Sequence, residues 1–297
     1  MPRTAGDTWD IVTSVGFTAL AVCAARALDA ALDPPLANDA FASGFVSAAG
    51  EPNLVAAVST TDMASAAAFN AQWVGVRTRF FDDFFARAAE SGTRQAVIVA
   101  AGLDSRAFRL AWPSEHTVFE IDQPRVLDFK QQVLDERGAV PSTRRITVAT
   151  DLREDWATAL LTAGFAPAKP TAWSLEGLLP YLPGPAQDTL FERLHELSAV
   201  GSQIAAELGP KPGELEEFAD NMPAAFAHDG TQPPVADLWY DDPRADTKDW
   251  LSQRAWAVTG ADLVDKAAHE YGRPLQGLPP VFERLLREKF FTAVRER

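Results

Sequence analysis

The chain has 297 residues, enough for one α/β core with additions, and 47% of them are apolar, including 8 Trp. A formal net charge of −14 argues against a nucleic-acid partner, whose phosphates are met by clustered Lys and Arg, and suits a small neutral or cationic one. Cys23 is the only cysteine, so neither an intramolecular disulfide nor a cysteine zinc site can form. The four histidines, His116, His195, His228 and His269, lack any ligand spacing, and no metal is expected.

Residues 8–32 read as an Ala-rich soluble helix. The uncharged run Ile11 to Ala25 is preceded by Asp7 and Asp10 against Arg3 alone, the wrong sign for a secretory leader. Arg26 and Asp29 interrupt it too early for a membrane span of about 20 residues, so no span and a cytoplasmic location are expected. A second helix is expected from Thr61 to Glu90, capped by Thr61 or Asp62. Its stripe Phe80, Phe81, Phe84 and Phe85 faces the core, with Asp82 and Asp83 on the other side.

From residue 95 onward, short apolar runs alternate with helical patterns. The runs are Gln95-Ala-Val-Ile-Val-Ala-Ala, His116 to Asp122, Arg145 to Asp151, Thr171 to Glu176 and Ser202 to Glu207. They read as strands buried on both faces of a parallel sheet, with helices at about 124–138, 153–164 and 186–199 between them. This is β-α-β alternation of a doubly wound α/β fold. Residues 210–249 break the rhythm with interleaved Gly, Pro and Asp and with Met222, Phe226, Trp239 and Tyr240, the composition of a lid over an apolar substrate. Arg254 to Thr259 and Lys289 to Arg295 read as two last strands, an antiparallel pair. No internal repeat is present.

Four consecutive runs end on a glycine or an acid: Gly102, Asp122, Asp151 and Glu176. In open parallel sheets ligands sit outside the carboxyl ends of the strands, so these four converge on one edge. Gly102 lets the backbone come close to a ligand. Asp122, 20 residues on, can accept two hydrogen bonds from a ribose diol. The fingerprint G-x-G-x-x-G is absent, and at this point NAD and S-adenosylmethionine fit equally well.

Longer motifs separate the two. Arg77-Thr-Arg-Phe-Phe-Asp, Ala100-Ala-Gly102-Leu-Asp-Ser-Arg, Glu120-Ile-Asp122-Gln-Pro, Asp151-Leu152-Arg and Glu176-Gly-Leu-Leu-Pro-Tyr181-Leu occur in that order. Together they resemble the leucine carboxyl methyltransferase superfamily, and most closely its mycobacterial and actinobacterial branch of S-adenosylmethionine-dependent methyltransferases. The similarity runs from Asp7 to about Leu208. It implies a Rossmann-like class I α/β fold: a mostly parallel seven-stranded sheet, an N-terminal helical cap over 1–92, and a core over 93–297 with an insertion after the fifth strand.

The resemblance also implies roles. Arg77 meets the methionyl carboxylate of S-adenosylmethionine, the backbone at Ala100 and Gly102 faces the methionyl part, and Asp122 takes the ribose hydroxyls. Asp151 and Leu152 flank the adenine, Glu176 sits near the methionyl amino group, and Tyr181 near the transferred methyl. Ala100-Ala101 stands where the wider superfamily often has Gly-Gly or Gly-Ala. The expected reaction is in-line methyl transfer to a carboxylate or hydroxyl of a small or lipid-like acceptor. A carboxylate needs no general base and a hydroxyl needs one. A non-catalytic S-adenosylmethionine sensor remains an alternative, as does an NAD-dependent oxidoreductase, which the missing glycines and the lack of a Tyr-x-x-x-Lys motif count against.

Overall fold

The computed structural model describes residues 14–59, 66–211, 214–220, 238–278 and 280–297. Four helices precede the sheet: α1 (Ser14–Asp29), α2 (Ala42–Ala49), α3 (Pro52–Ser59) and α4 (Ala66–Glu90). Pro52 opens α3 at the position where its missing N–H costs nothing, and the Glu51 carboxylate accepts the free N–H of Leu54 at 2.7 Å. Helix α2 stops at Gly50, which turns left-handed at φ 67°. The proposed caps of the long helix, Thr61 and Asp62, lie outside the described residues.

The alternating part follows as β1 (Gln95–Val99), α5 (Arg106–Arg109), β2 (Thr117–Asp122), α6 (Pro124–Glu136), β3 (Arg144–Ala149), α7 (Trp156–Thr162), β4 (Ala172–Leu175), α8 (Gly184–Glu196) and β5 (Gln203–Glu207). Then come α9 (Leu215–Asp220), α10 (Thr247–Ser252), β6 (Trp256–Ala261), α11 (Leu263–His269), α12 (Pro280–Glu288) and β7 (Phe290–Arg295). Aspartates start several helices: Asp246 accepts from Lys248 and Asp249 N–H at 2.9 and 3.0 Å, and Asp262 from Asp265 N–H at 2.9 Å.

The seven strands form one sheet in the order β3-β2-β1-β4-β5-β7-β6. All neighbours are parallel except β7, which runs antiparallel to both β5 and β6. The expected terminal pair is therefore present, one or two residues later than its apolar pattern begins. Strand order reverses between β1 and β4, and the crevice outside their carboxyl ends is where a doubly wound sheet binds ligands.

One face of the sheet packs Trp156 and Leu160 of α7 and Leu190, Phe191 and Leu194 of α8. The other packs Phe80, Phe81, Phe84 and Phe85 of α4 on Ala96, Ile98 and Val118, with Leu263 and Leu286 from α11 and α12. Burying each phenylalanine contributes about 1.5–3 kcal/mol. Helix α1 lies along α4, and Gly75 permits that approach, since a Cβ there would run into the Asp29 carboxylate.

Two expectations need correction. Strand β3 is not buried on both faces: it is the sheet's edge, where only Val148 is buried. Arginines at 144 and 145 suit an edge, because charge there discourages pairing with another chain. Asp82 is not on a solvated face either. It is 8% exposed and holds Arg106 and Arg109, because α5 covers the side of α4 that a one-stripe pattern leaves to solvent. Among the described residues no helix is long and apolar enough to cross a membrane.

Candidate active site

The carboxyl edge of the sheet opens into a cavity of about 460 Å³, within the range of small-molecule and cofactor sites. Each strand delivers its end to the rim. Past β1 the chain swings left-handed at Ala100 (φ 57°) and again at Gly102 (φ 49°). A left-handed alanine stores about 1 kcal/mol or more of strain, so the backbone is held here against its preference. The ties are visible: Ala101 N–H donates to Ile121 O at 2.9 Å and Gly102 N–H to Asp122 Oδ2 at 2.6 Å.

Asp122 is thus aimed by backbone. Its other oxygen accepts Gln123 N–H at 2.7 Å. Burial pushes the carboxyl up to about 6, against the pull of those two N–H groups. Each oxygen has one acceptor site spent and one left. Asp151, after β3, is more fully engaged: Oδ1 accepts Arg153 N–H and Nε–H at 2.8 and 2.9 Å, and Oδ2 accepts Arg153 Nη2 and Gln123 Nε2 at 2.6 and 2.9 Å. Leu152 beside it packs on the core and lines the cavity.

A buried network of arginines and carboxylates closes the β4–β5 side. Arg77, 5% exposed on α4, donates from Nη1 to Glu207 Oε2 at 3.1 Å. Its Nε stands 3.0 Å from Glu176 Oε1, close enough for an ion pair but without hydrogen-bond alignment. The guanidinium also lies 5.0 Å from the Trp73 ring centre. Glu176 Oε2 pairs with Arg106 Nη1 at 2.9 Å, and Arg106 continues to Asp104 and to Asp82.

The two glutamates differ in charge environment. Burial raises the Glu176 carboxyl, but Arg106 and Arg77 outweigh it and hold it below the usual range. Burial also raises Glu207, and there Arg77 and the Gly177 N–H oppose it while Glu176 adds to the rise, so the carboxyl stays above its usual value. Tyr181, in the short turn Leu179–Tyr181 after β4, is pushed up by burial, bonds Thr18 and Trp239, and meets the Trp239 ring edge-on at 6.1 Å.

Arg77, Ala100, Gly102, Asp122, Asp151, Leu152, Glu176 and Tyr181 all line this one cavity. Sequence reasoning missed Glu207, although it ends the fifth run as the other four residues end theirs. It also missed Asp104 and Arg106, which follow Gly102 as charged residues in an otherwise small turn. Trp239 and Tyr240 of the 210–249 segment reach the cavity. Met222 and Phe226 fall outside the described residues.

A family model described as leucine carboxyl methyltransferase matches residues 19–195. A Mycobacteroides abscessus relative is 66% identical over 100% of this chain and 99% of its own. The chain belongs to the leucine carboxyl methyltransferase family. The name of that relative places it among the S-adenosyl-L-methionine-dependent methyltransferases, as does that of a Rhodococcus jostii relative, 46% identical over 99% of this chain and 100% of its own. A crystal structure ascribed to a methyltransferase from Thermobifida fusca superposes with a TM-score of 0.50 at 15% identity, covering 82% of this chain and 87% of that one, and shares the fold.

Proposed function

We propose that this S-adenosylmethionine-dependent methyltransferase of the leucine carboxyl methyltransferase family lays its cofactor along the carboxyl edge of the sheet and transfers the methyl to an oxygen. The acceptor is a carboxylate or hydroxyl on a small or lipid-like molecule, and the work is done in the cytoplasm. The observation that carries the reading is the succession of strand ends around one cavity. Asp151 and Leu152 follow β3, Asp122 ends β2, Ala100 and Gly102 follow β1, and Glu176 follows β4. That sequence of groups matches adenine, ribose and methionyl in order.

The donor set suits the cofactor. The spare acceptor sites of Asp122 fit a ribose diol, and Leu152 offers a flat apolar contact to a purine. Arg77 Nη2 has no hydrogen-bond partner among the described residues, leaving an edge of the fork for the methionyl carboxylate. Asp151 would reach the adenine amino group once Arg153, whose side chain is 34% exposed, moves aside. Bound there, S-adenosylmethionine supplies a methyl group already activated on sulfonium. The protein's task is then alignment and exclusion of water. The N-terminal helices over 1–92 and the 210–249 segment serve as covers, with Tyr181, Trp239 and Tyr240 near the methyl.

Calorimetry with S-adenosylhomocysteine and NAD tests this. The first should bind and the second should not, and Asp122→Ala should weaken binding by about 2–4 kcal/mol, the worth of two charge-assisted hydrogen bonds, in a folded protein. NAD binding, or unchanged affinity in the variant, would contradict it. Labelled-methyl transfer across carboxylic acids, hydroxylated lipids and polyketides then finds the acceptor.

A further inference from the structure

The β5 side of the cavity limits what the acceptor can be. A cofactor lying over β3, β2, β1 and β4 presents its methyl toward the next strand in the sheet, β5, and Glu207 is the end of that strand. The cavity that Glu207 lines is lined too by Pro180, Leu208, Trp239, Phe282 and Leu285, apolar surface for the body of a substrate.

Glu207 is held by one oxygen only. Its Oε2 accepts Arg77 Nη1 at 3.1 Å and Gly177 N–H at 3.0 Å, while Oε1 accepts no hydrogen bond among the described residues. The side chain keeps 12% exposure and lines the cavity. Glu176 offers a contrast, since each of its oxygens already faces an arginine nitrogen. No histidine, lysine or cysteine lines the cavity among the described residues. Tyr181 is held protonated by burial and cannot take a proton near neutral pH.

The cations of the lining are committed to carboxylates, save the Arg77 Nη2 that the cofactor's own carboxylate takes. Arg26 pairs with Asp39, Arg77 with Glu176 and Glu207, and Arg153 with Asp151. With the cofactor bound, a carboxylate acceptor at the β4–β5 end would therefore meet two carboxylates and no unspent cation, an arrangement that strongly disfavours its binding.

We infer that the methyl acceptor is an uncharged molecule with an apolar body and a hydroxyl group, and that Glu207 Oε1 is the base that takes the hydroxyl proton. This rests on the reading of the cavity as a methyltransferase site. The hydroxyl oxygen bonds to the methyl carbon as the carbon–sulfur bond breaks, and that bond's electron pair stays on sulfur. The hydroxyl proton passes to Glu207 Oε1 and from there to solvent. The raised carboxyl of Glu207 suits a proton acceptor better than the depressed one of Glu176.

The test uses two probes with the same apolar body, 4-octylphenol and 4-octylbenzoate, on the full chain loaded with S-adenosylhomocysteine at pH 7.5. By calorimetry the native protein should bind the phenol at least about tenfold more tightly than the benzoate. Glu207→Gln keeps an acceptor oxygen for Arg77 and Gly177, so the fold should be retained. It should leave S-adenosylhomocysteine affinity within about threefold, bring the two probes within about threefold of each other, and lower kcat for labelled-methyl transfer to 4-octylphenol by about a hundredfold or more with KM little changed. Equal or tighter binding of the benzoate by the native protein, failure to methylate the phenol, or undiminished transfer in the variant overturns the inference. A loss of S-adenosylhomocysteine affinity beyond about tenfold in the variant also overturns it, by making Glu207 a cofactor ligand. Only failure of the native protein to bind S-adenosylhomocysteine reaches further and removes the methyltransferase reading itself.

Discussion

Lowering the pH should loosen the cofactor through one residue. Asp122 can accept from both ribose hydroxyls only as a carboxylate, and burial sets its titration at about 6. The ionised form binds, so the protonated fraction subtracts directly from apparent affinity. Above pH 7 that fraction is small and affinity should be flat. At pH 5 roughly nine molecules in ten are protonated, and the dissociation constant should rise about tenfold, or about 1.4 kcal/mol. The loss is bounded by the two hydrogen bonds at stake, about 2–4 kcal/mol. Calorimetric titrations from pH 5 to 8 with S-adenosylhomocysteine would trace the curve. Adenosine, which lacks the methionyl group, should give the same curve and thereby exclude Glu207 as the titrating group. Asp122→Asn should lower affinity at pH 7.5 and flatten both curves. Circular dichroism at each pH establishes that the protein stays folded. A native affinity for adenosine that is constant from pH 5 to 8, or an Asp122→Asn variant that keeps the full slope, would refute the assignment.

Arg77→Lys should weaken S-adenosylhomocysteine binding about tenfold or more despite the retained charge, because an ammonium cannot serve Glu176, Glu207 and a ligand carboxylate with one planar fork. Adenosine should bind both forms alike, and an equal loss for adenosine would mean the helix is damaged instead. Lys130 and Glu120 are both fully buried, paired at 2.7 Å beside Arg145, so Lys130→Met should cost about 3 kcal/mol in urea unfolding. Adding Glu120→Leu should recover part of that loss, and a single-variant cost under about 1 kcal/mol would contradict the pairing.

The strands, their order of appearance and the edge that lines the cavity were legible because each buried strand is a short β-branched run punctuated by a glycine or an acid. That pattern arises where a parallel sheet meets solvent at one end. Strand β3 carries the same punctuation, yet its Arg144 and Arg145 already mark it as an edge, and the apolar residues between masked that. Pairings across the chain were not legible. Asp82 meets Arg106 and Arg109 over separations of 24 and 27 residues, and nothing in a helical stripe reports which face a later turn will cover. Glu207 follows the same strand-end rule as Asp122 and Glu176. Its open oxygen lies beyond that rule, because it depends on Arg77 and Gly177 having taken the other.

The most direct test of the cofactor's placement is a crystal structure of the complex with S-adenosylhomocysteine. The account predicts the adenine against Leu152, the ribose hydroxyls within hydrogen-bond distance of Asp122, the methionyl carboxylate on Arg77 and the sulfur facing the β4–β5 end. A ligand bound in the reverse direction, or outside the carboxyl edge of the sheet, would contradict it.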